Sequence, residues 1–159
     1  MPAIIVEGDL FESDAKYIVH QCNCVTWRGA HLAKDMFSKF PYSDIYSSRQ
    51  ETGHRDIPGE IIIRGNGDKQ RYVIAILGQK YPGRPGYSDP EDDFAHRTRY
   101  FFNGLKKIAE IKDLDSVAFP WGIGCGAAGN DWEKYHTLID RFSDYVKGRA
   151  TVYIYKLNQ

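Results

Sequence analysis

Residues 119–135 read FPWGIGCGAAGNDWEKY, and five of the first eleven are glycine or proline. Glycine tolerates positive φ and lets a backbone come close to another group. Successive N–H groups in such a loop can face one anion, assisted by the N-terminus of a following helix. A phosphate cradle and a tight structural turn both account for the stretch. It is not a P-loop, because no Gly-Lys-Ser/Thr follows, and it does not match G-x-G-x-x-G with an acid about twenty residues on. A second small loop lies in HQCNCVTWRGAHLAK, residues 20–34. Asn23 there can hydrogen-bond sugar hydroxyls or cap its own turn. His31, at a helix start, is a candidate base or an exposed loop histidine. His20, inside an apolar run, is a candidate proton-transfer group or a core histidine. A third loop, EGDLF at residues 7–11, carries the carboxylate of Asp9, which binds a donor or caps a turn.

The elements that must position these loops alternate in type. Residues 3–6 and 17–22 read as strands. Residues 27–40 have helical spacing, with Leu32, Ala33, Met36, Phe37 and Phe40 on one face and Pro41 as the stop. Residues 42–49 suggest a short second helix. Residues 60–64 and 71–77 read as a strand pair joined by the turn signal Gly65-Asn66-Gly67-Asp68. Residues 79–93 form a loop rich in glycine, proline and tyrosine. Residues 94–111 form a long amphipathic helix, 116–119 a buried strand, and 151–155 a closing strand. Asn130 or Asp131 caps a helix running to residue 146. Strands apolar on both faces, alternating with helices, imply a three-layer α/β/α sandwich with a central mixed sheet. Ligands in such sheets bind beyond the carboxyl ends of the strands. The three loops at residues 8–10, 23–30 and 122–129 answer that description.

The 159 residues suit one domain, with no repeat or linker. Lysine plus arginine equals aspartate plus glutamate at 21 each, so nothing in the composition argues for duplex nucleic acid. A small anion held by backbone amides needs no lysine. The three cysteines, Cys22, Cys24 and Cys125, form no disulfide framework and no finger-like metal spacing. The apolar run near the N-terminus is four residues long and meets a charge, which is neither a signal h-region nor a membrane span. The expected setting is soluble and intracellular, cytoplasmic or nuclear.

GDL near the N-terminus, VHQCN with its small-residue loop, and FPWGIGCGAAG before a Trp-Glu-Lys helix together resemble a macrodomain, over almost the whole chain. Macrodomains are ADP-ribose-binding modules. The branch it resembles contains terminal ADP-ribose glycohydrolases and ADP-ribose-1″-phosphate phosphatases. The resemblance implies a single macro domain over residues 1–159 and a set of roles. Asp9 would bind the adenine amino group, with Leu10 beside it. Asn23 would hold the distal ribose. Gly29 and Ala30 would form the first diphosphate loop, and Ile123, Gly124, Cys125, Gly126, Ala127, Ala128 and Gly129 the second. Tyr155 would pack on adenine.

The chain departs from the pattern where chemistry is done. Gln79 stands nearest the glycohydrolase lysine, with Lys80 one residue on, and Ala128 stands at that branch's aspartate. Ala33 stands at the aspartate of the mono-ADP-ribosyl hydrolases. His20 matches a histidine of the phosphatase branch, and His31 replaces a glycine. The implied activity is hydrolysis of ADP-ribose-1″-phosphate, with His20, His31 and Asn23 as catalytic candidates. A non-catalytic ADP-ribose reader and a hydrolase acting on ADP-ribosylated protein or nucleic acid are the alternatives. No cofactor, metal or membrane partner is expected, and the chain is expected to be a monomer.

Overall fold

The structure, a computed structural model, describes residues 1–157. Numbered in chain order, its strands are β1 (Ile4–Glu7), β2 (Tyr17–Cys22), β3 (Ile61–Arg64), β4 (Tyr72–Leu77), β5 (Asp115–Pro120) and β6 (Ala150–Lys156). They form one sheet in the order β1-β6-β5-β2-β4-β3. All neighbours pair in parallel except β3, which runs antiparallel to β4. Parallel pairing brings the carboxyl ends of five strands to one edge of the sheet. That edge is where the three small loops emerge.

Side chains alternate across a strand, so β2 sends Tyr17 and Val19 to one face and Ile18, His20 and Cys22 to the other. The first face packs against helices α3 (Phe94–Ala109) and α4 (Trp132–Tyr145), through Phe101, Leu105, Ile108, Tyr135 and Ile139. The second packs against α1 (His31–Lys39) and the 3-10 turns Leu10–Glu12 and Pro41–Ser43. The expected three-layer α/β/α sandwich with a mixed sheet is therefore the observed one. Each wholly buried apolar side chain, such as Phe101 stacked on Tyr135 at 4.3 Å, contributes about 1.5–3 kcal/mol. Gly104 lets α3 lie close to β4, because a Cβ there would stand 2.6 Å from Ile76 Cγ2. No helix among the described residues is long and apolar enough to cross a membrane.

Caps explain the helix starts. Asp131 is the N-cap of α4 and accepts from the Glu133 N–H at 3.0 Å; Asp93 caps α3 through the His96 N–H at 2.9 Å. Two expectations shift. The first helix begins at His31, not at residue 27, because the preceding residues are drawn into a turn around Asn23. The helix expected over residues 42–49 is interrupted: Asp44 Oδ1 accepts from the Tyr46 and Ser47 N–H groups at 2.8 and 3.1 Å. Such local bonds compete with helical ones. A one-turn helix, α2 (Arg49–Thr52), follows instead and ends at Gly53, whose φ is +67°.

Candidate functional site

Beyond the carboxyl ends of β2 and β5 opens a cleft of about 500 Å³. Gln21 and Asn23 line it from β2 and the turn after it, Gln79 and Pro82 from the segment after β4, and residues 120–128 from the glycine-rich loop. The Asn23 turn is tightly specified. Its Oδ1 accepts from the Val25 and Thr26 N–H groups at 3.0 and 2.9 Å and from the Thr26 hydroxyl at 3.1 Å. The Nδ2 group has no acceptor among the described residues and is the free donor of this cleft-lining side chain. Arg49, 1 % exposed, holds the turn by donating to the Asn23 and Thr26 carbonyls at 3.1 Å each, and it pairs with Asp56. The Tyr46 hydroxyl accepts from the Asn23 N–H at 2.7 Å.

Two runs of unused backbone donors border the cleft. In the glycine-rich loop, Ile123, Cys125, Gly129 and Asn130 give their N–H groups to loop carbonyls. The N–H groups of Gly124, Gly126, Ala127 and Ala128 find no acceptor among the described residues. Gly124 has φ +73°, and a Cβ there would lie 2.6 Å from Gln21 Oε1, so glycine is required by both conformation and space. The second run is the N-terminus of α1, which also lines the cleft and where Ala30 provides no side-chain cap. The first N–H groups of that helix are orphaned, as any uncapped helix leaves them. No carboxylate is among the residues lining the cleft, and Arg28 is its one lining cation. The arrangement suits an extended anion.

His31 opens α1 with φ +54°, is exposed, and lines the cleft. A left-handed conformation costs a non-glycine residue about 1–2 kcal/mol. Its ring has no hydrogen-bond partner among the described residues. His20 lies elsewhere: it is 0 % exposed and packs edge-on against Phe37 at 5.6 Å. Burial lowers its pKa from 6.5 to about 4, so the ring is neutral. It is not among the residues lining the cleft, because strand parity turns it toward α1. Of the catalytic candidates His20, His31 and Asn23, the cleft therefore brings together His31 and Asn23 and leaves His20 out. The cysteines are not poised as thiolates either: burial pushes Cys22, Cys24 and Cys125 each up to about 12. Among the described residues, no group of three or more His, Cys, Asp or Glu is placed to hold a metal ion.

The other expected residues divide. Ala30, Ile123, Gly124, Cys125, Gly126, Ala127 and Ala128 line the cleft with Asn23 and His31. Gly29 does not; it packs on the helix backbone, where a Cβ would stand 2.8 Å from the Lys34 nitrogen. Gly129 also lies outside the lining. Asp9, Leu10 and Tyr155 group at the ends of β1 and β6, along the same edge of the sheet. Asp9 accepts from the Phe11 N–H at 2.9 Å, Leu10 is buried, and Gly8 faces the Tyr155 ring. The Tyr155 carbonyl accepts from the Trp121 N–H at 2.8 Å, which ties this group to the rim of the cleft.

No family model matches the sequence, and no curated protein matches it. The structure, in contrast, matches solved ones over nearly its full length. The macrodomain of Mycobacterium tuberculosis DarG aligns with TM-score 0.70 and 24% identity, over 96% of this chain and 97% of that one. The chain has the macrodomain fold. Thermosipho africanus DarTG in complex with ADP-ribose aligns with TM-score 0.73 and 19% identity, over 96% of this chain and 40% of the other. A Bacteroides thetaiotaomicron protein of unknown function aligns with TM-score 0.76 and 23% identity over 99% of both chains. Within this macrodomain fold, the cleft-lining residues that sequence reasoning missed include Gln21, Thr26, Arg28, Tyr46, Pro82, Gly83 and Trp121. Trp121 stands in the quoted glycine-rich stretch, so its position beside the loop was a usable signal. Tyr46 had none, since it reaches Asn23 only through folding.

Proposed function

We propose that the cleft binds ADP-ribose and that the chain hydrolyses ADP-ribose-1″-phosphate to ADP-ribose and phosphate. The observation that carries the binding is the pair of donor runs lining one cleft, the N-terminus of α1 and the N–H groups of Gly124, Gly126, Ala127 and Ala128. Between them a diphosphate replaces water on otherwise unused amides. Asn23 Nδ2 then donates to the distal ribose. Proteins of the same fold that hold ADP-ribose support the reading, among them the Thermosipho chain and an Oceanobacillus iheyensis macrodomain. In the reaction, water attacks phosphorus, the bond to the 1″ oxygen breaks, and that oxygen takes a proton from solvent as it leaves, balancing the one the attacking water gives up. His31 is the imidazole that lines the cleft, and it takes the proton from the water.

The experiment is phosphorus NMR of ADP-ribose-1″-phosphate mixed with the protein. A growing inorganic phosphate peak is expected. His31→Gly suits the positive φ at that position and should slow phosphate release about 100-fold or more while ADP-ribose still binds. Asn23→Asp keeps an acceptor for the turn and should weaken ADP-ribose binding at least about tenfold. Undiminished release in His31→Gly would remove the histidine from the mechanism.

One observation favours a reader as the second reading: nothing orients the His31 ring. Broadened diphosphate resonances with no new peak would support it. The lysine-dependent hydrolase fits less well, because the Lys80 ammonium is held by Asp89 at 2.9 Å and does not line the cleft.

A further inference from the structure

The geometry points to Arg97 as a positioning residue that clasps two walls of the cleft together. Arg97 lies in the first turn of α3 and is 1 % exposed, as is its ion-pair partner Asp92. Its guanidinium donates to four acceptors in two separate segments. In the segment after β4 these are the Tyr81 carbonyl at 3.0 Å, the Gly83 carbonyl at 2.7 Å and Asp92 Oδ2 at 2.7 Å. In the glycine-rich loop it is the Ala128 carbonyl at 3.1 Å, 31 residues away in sequence. Pro82, Gly83 and Ala128 all line the cleft.

The bonds continue past the guanidinium. Asp92 accepts the Lys80 and Tyr81 N–H groups at 2.7 and 3.0 Å, which folds the segment back on itself. The Tyr81 carbonyl also accepts from Gln79 Nε2 at 2.8 Å, and Gln79 Oε1 accepts from Gln21 Nε2 at 2.7 Å. One connected network therefore runs from the end of β2, through residues 79–92, to Ala128. A buried guanidinium holds its charge and its planar fork, so the acceptors it joins keep fixed separations. The plane of the Ala128 carbonyl also carries the Gly129 N–H, which donates to the Gly126 carbonyl at 3.0 Å, so the turn that holds the unused N–H donors of Ala127 and Ala128 is tied at both ends. The segment at residues 79–92 is then a standing wall of the cleft, and the donor run is formed before any ligand arrives. Preorganisation of that kind raises affinity by removing the cost of ordering the loop on binding. The consequence for affinity rests on the ADP-ribose reading above; the clasp itself does not.

The test is hydrogen exchange of the ligand-free protein, comparing wild type with Arg97→Lys. An ammonium keeps the charge beside Asp92 but cannot span both segments. Exchange is expected to rise at least about tenfold at the bonded amides of both segments, Lys80, Tyr81 and Gly86 in the one and Cys125, Gly129 and Asn130 in the other, with β2 and α4 unchanged. A rise confined to residues 80–86 would overturn the clasp, and so would a uniform rise across the fold. Gly104→Ala serves as the control: it strains the α3–β4 contact at Ile76 without removing any of the Arg97 bonds and should leave both segments unchanged. Calorimetry with ADP-ribose supplies the second readout. Arg97→Lys should weaken binding at least about tenfold, and Gly104→Ala should not. Equal binding by wild type and Arg97→Lys overturns the positioning role. Absence of binding by wild type overturns the ADP-ribose reading, while the exchange pattern still decides the clasp.

Discussion

Two histidines eleven positions apart have opposite fates, and their surroundings explain why. His31 sits in a left-handed conformation at the mouth of the cleft, where an imidazole meets water and ligand. His20 sits between the sheet and Phe37, with only the Cys22 sulfur, at 3.7 Å, near its ring nitrogens. A buried imidazole without an acceptor or counter-charge stays neutral. That neutrality links it to stability. Above pH 6.5 both folded and unfolded chains carry a neutral ring. Between pH 6.5 and about 4 the unfolded chain binds a proton that the folded one refuses, so stability falls as pH falls. The full effect is about 3 kcal/mol. His20→Leu should flatten the fall in urea midpoint between pH 7 and 4.5, and an unchanged slope would place the acid sensitivity elsewhere.

At the scale of elements, close approach outweighs helix propensity. Ala is favoured over Gly in a helix by about 1 kcal/mol, so propensity alone expects Gly104→Ala to stabilise the protein. The structure gives the opposite sign. A Cβ at residue 104 would stand 2.6 Å from Ile76 Cγ2, in a layer where Ile76 is itself wholly buried. Overpacking of this kind costs about 1–3 kcal/mol. Thermal denaturation should show a lower midpoint for Gly104→Ala, and a higher one would mean that α3 shifts freely on the sheet. The turn after β2 follows the same logic. Asn23, Tyr46 and Arg49 form it together, and no local propensity specifies the last two.

At the scale of the whole molecule, the fold gathers its unused donors at one edge. Net charge is zero, so the attraction for an anion is local rather than a field of the whole protein. Ligand binding to the folded state alone then raises stability by mass action. ADP-ribose at 100 times its dissociation constant should add about 2.7 kcal/mol. For a chain of this size that is a rise in Tm of roughly 5–10 °C. Differential scanning fluorimetry with ADP-ribose, and with adenosine as a control lacking the diphosphate, would read it. Equal shifts from both would mean that the donor runs do not hold phosphate.

Much of this architecture follows from local sequence. The order of strands and helices, the antiparallel β3–β4 pair, the cap at Asp131 and the glycine-rich loop all rest on short-range signals. Periodicity, φ preference and capping act within a few residues of one another, so a single sequence displays them. The grouping of Ala30, His31, Asn23 and residues 123–128 around one cleft also follows, because parallel strands deliver their following loops to one edge. Tertiary structure alone decided the rest. It turned His20 toward α1 and away from the cleft, since strand alternation says which residues share a face but not which layer that face meets. It left residues 27–30 out of the first helix, after a turn that Arg49 holds by bonds to carbonyls 23 and 26 residues away. It joined residue 97 to residue 128 across the cleft. Those contacts exist only once the chain is closed on itself, and no local pattern announces them.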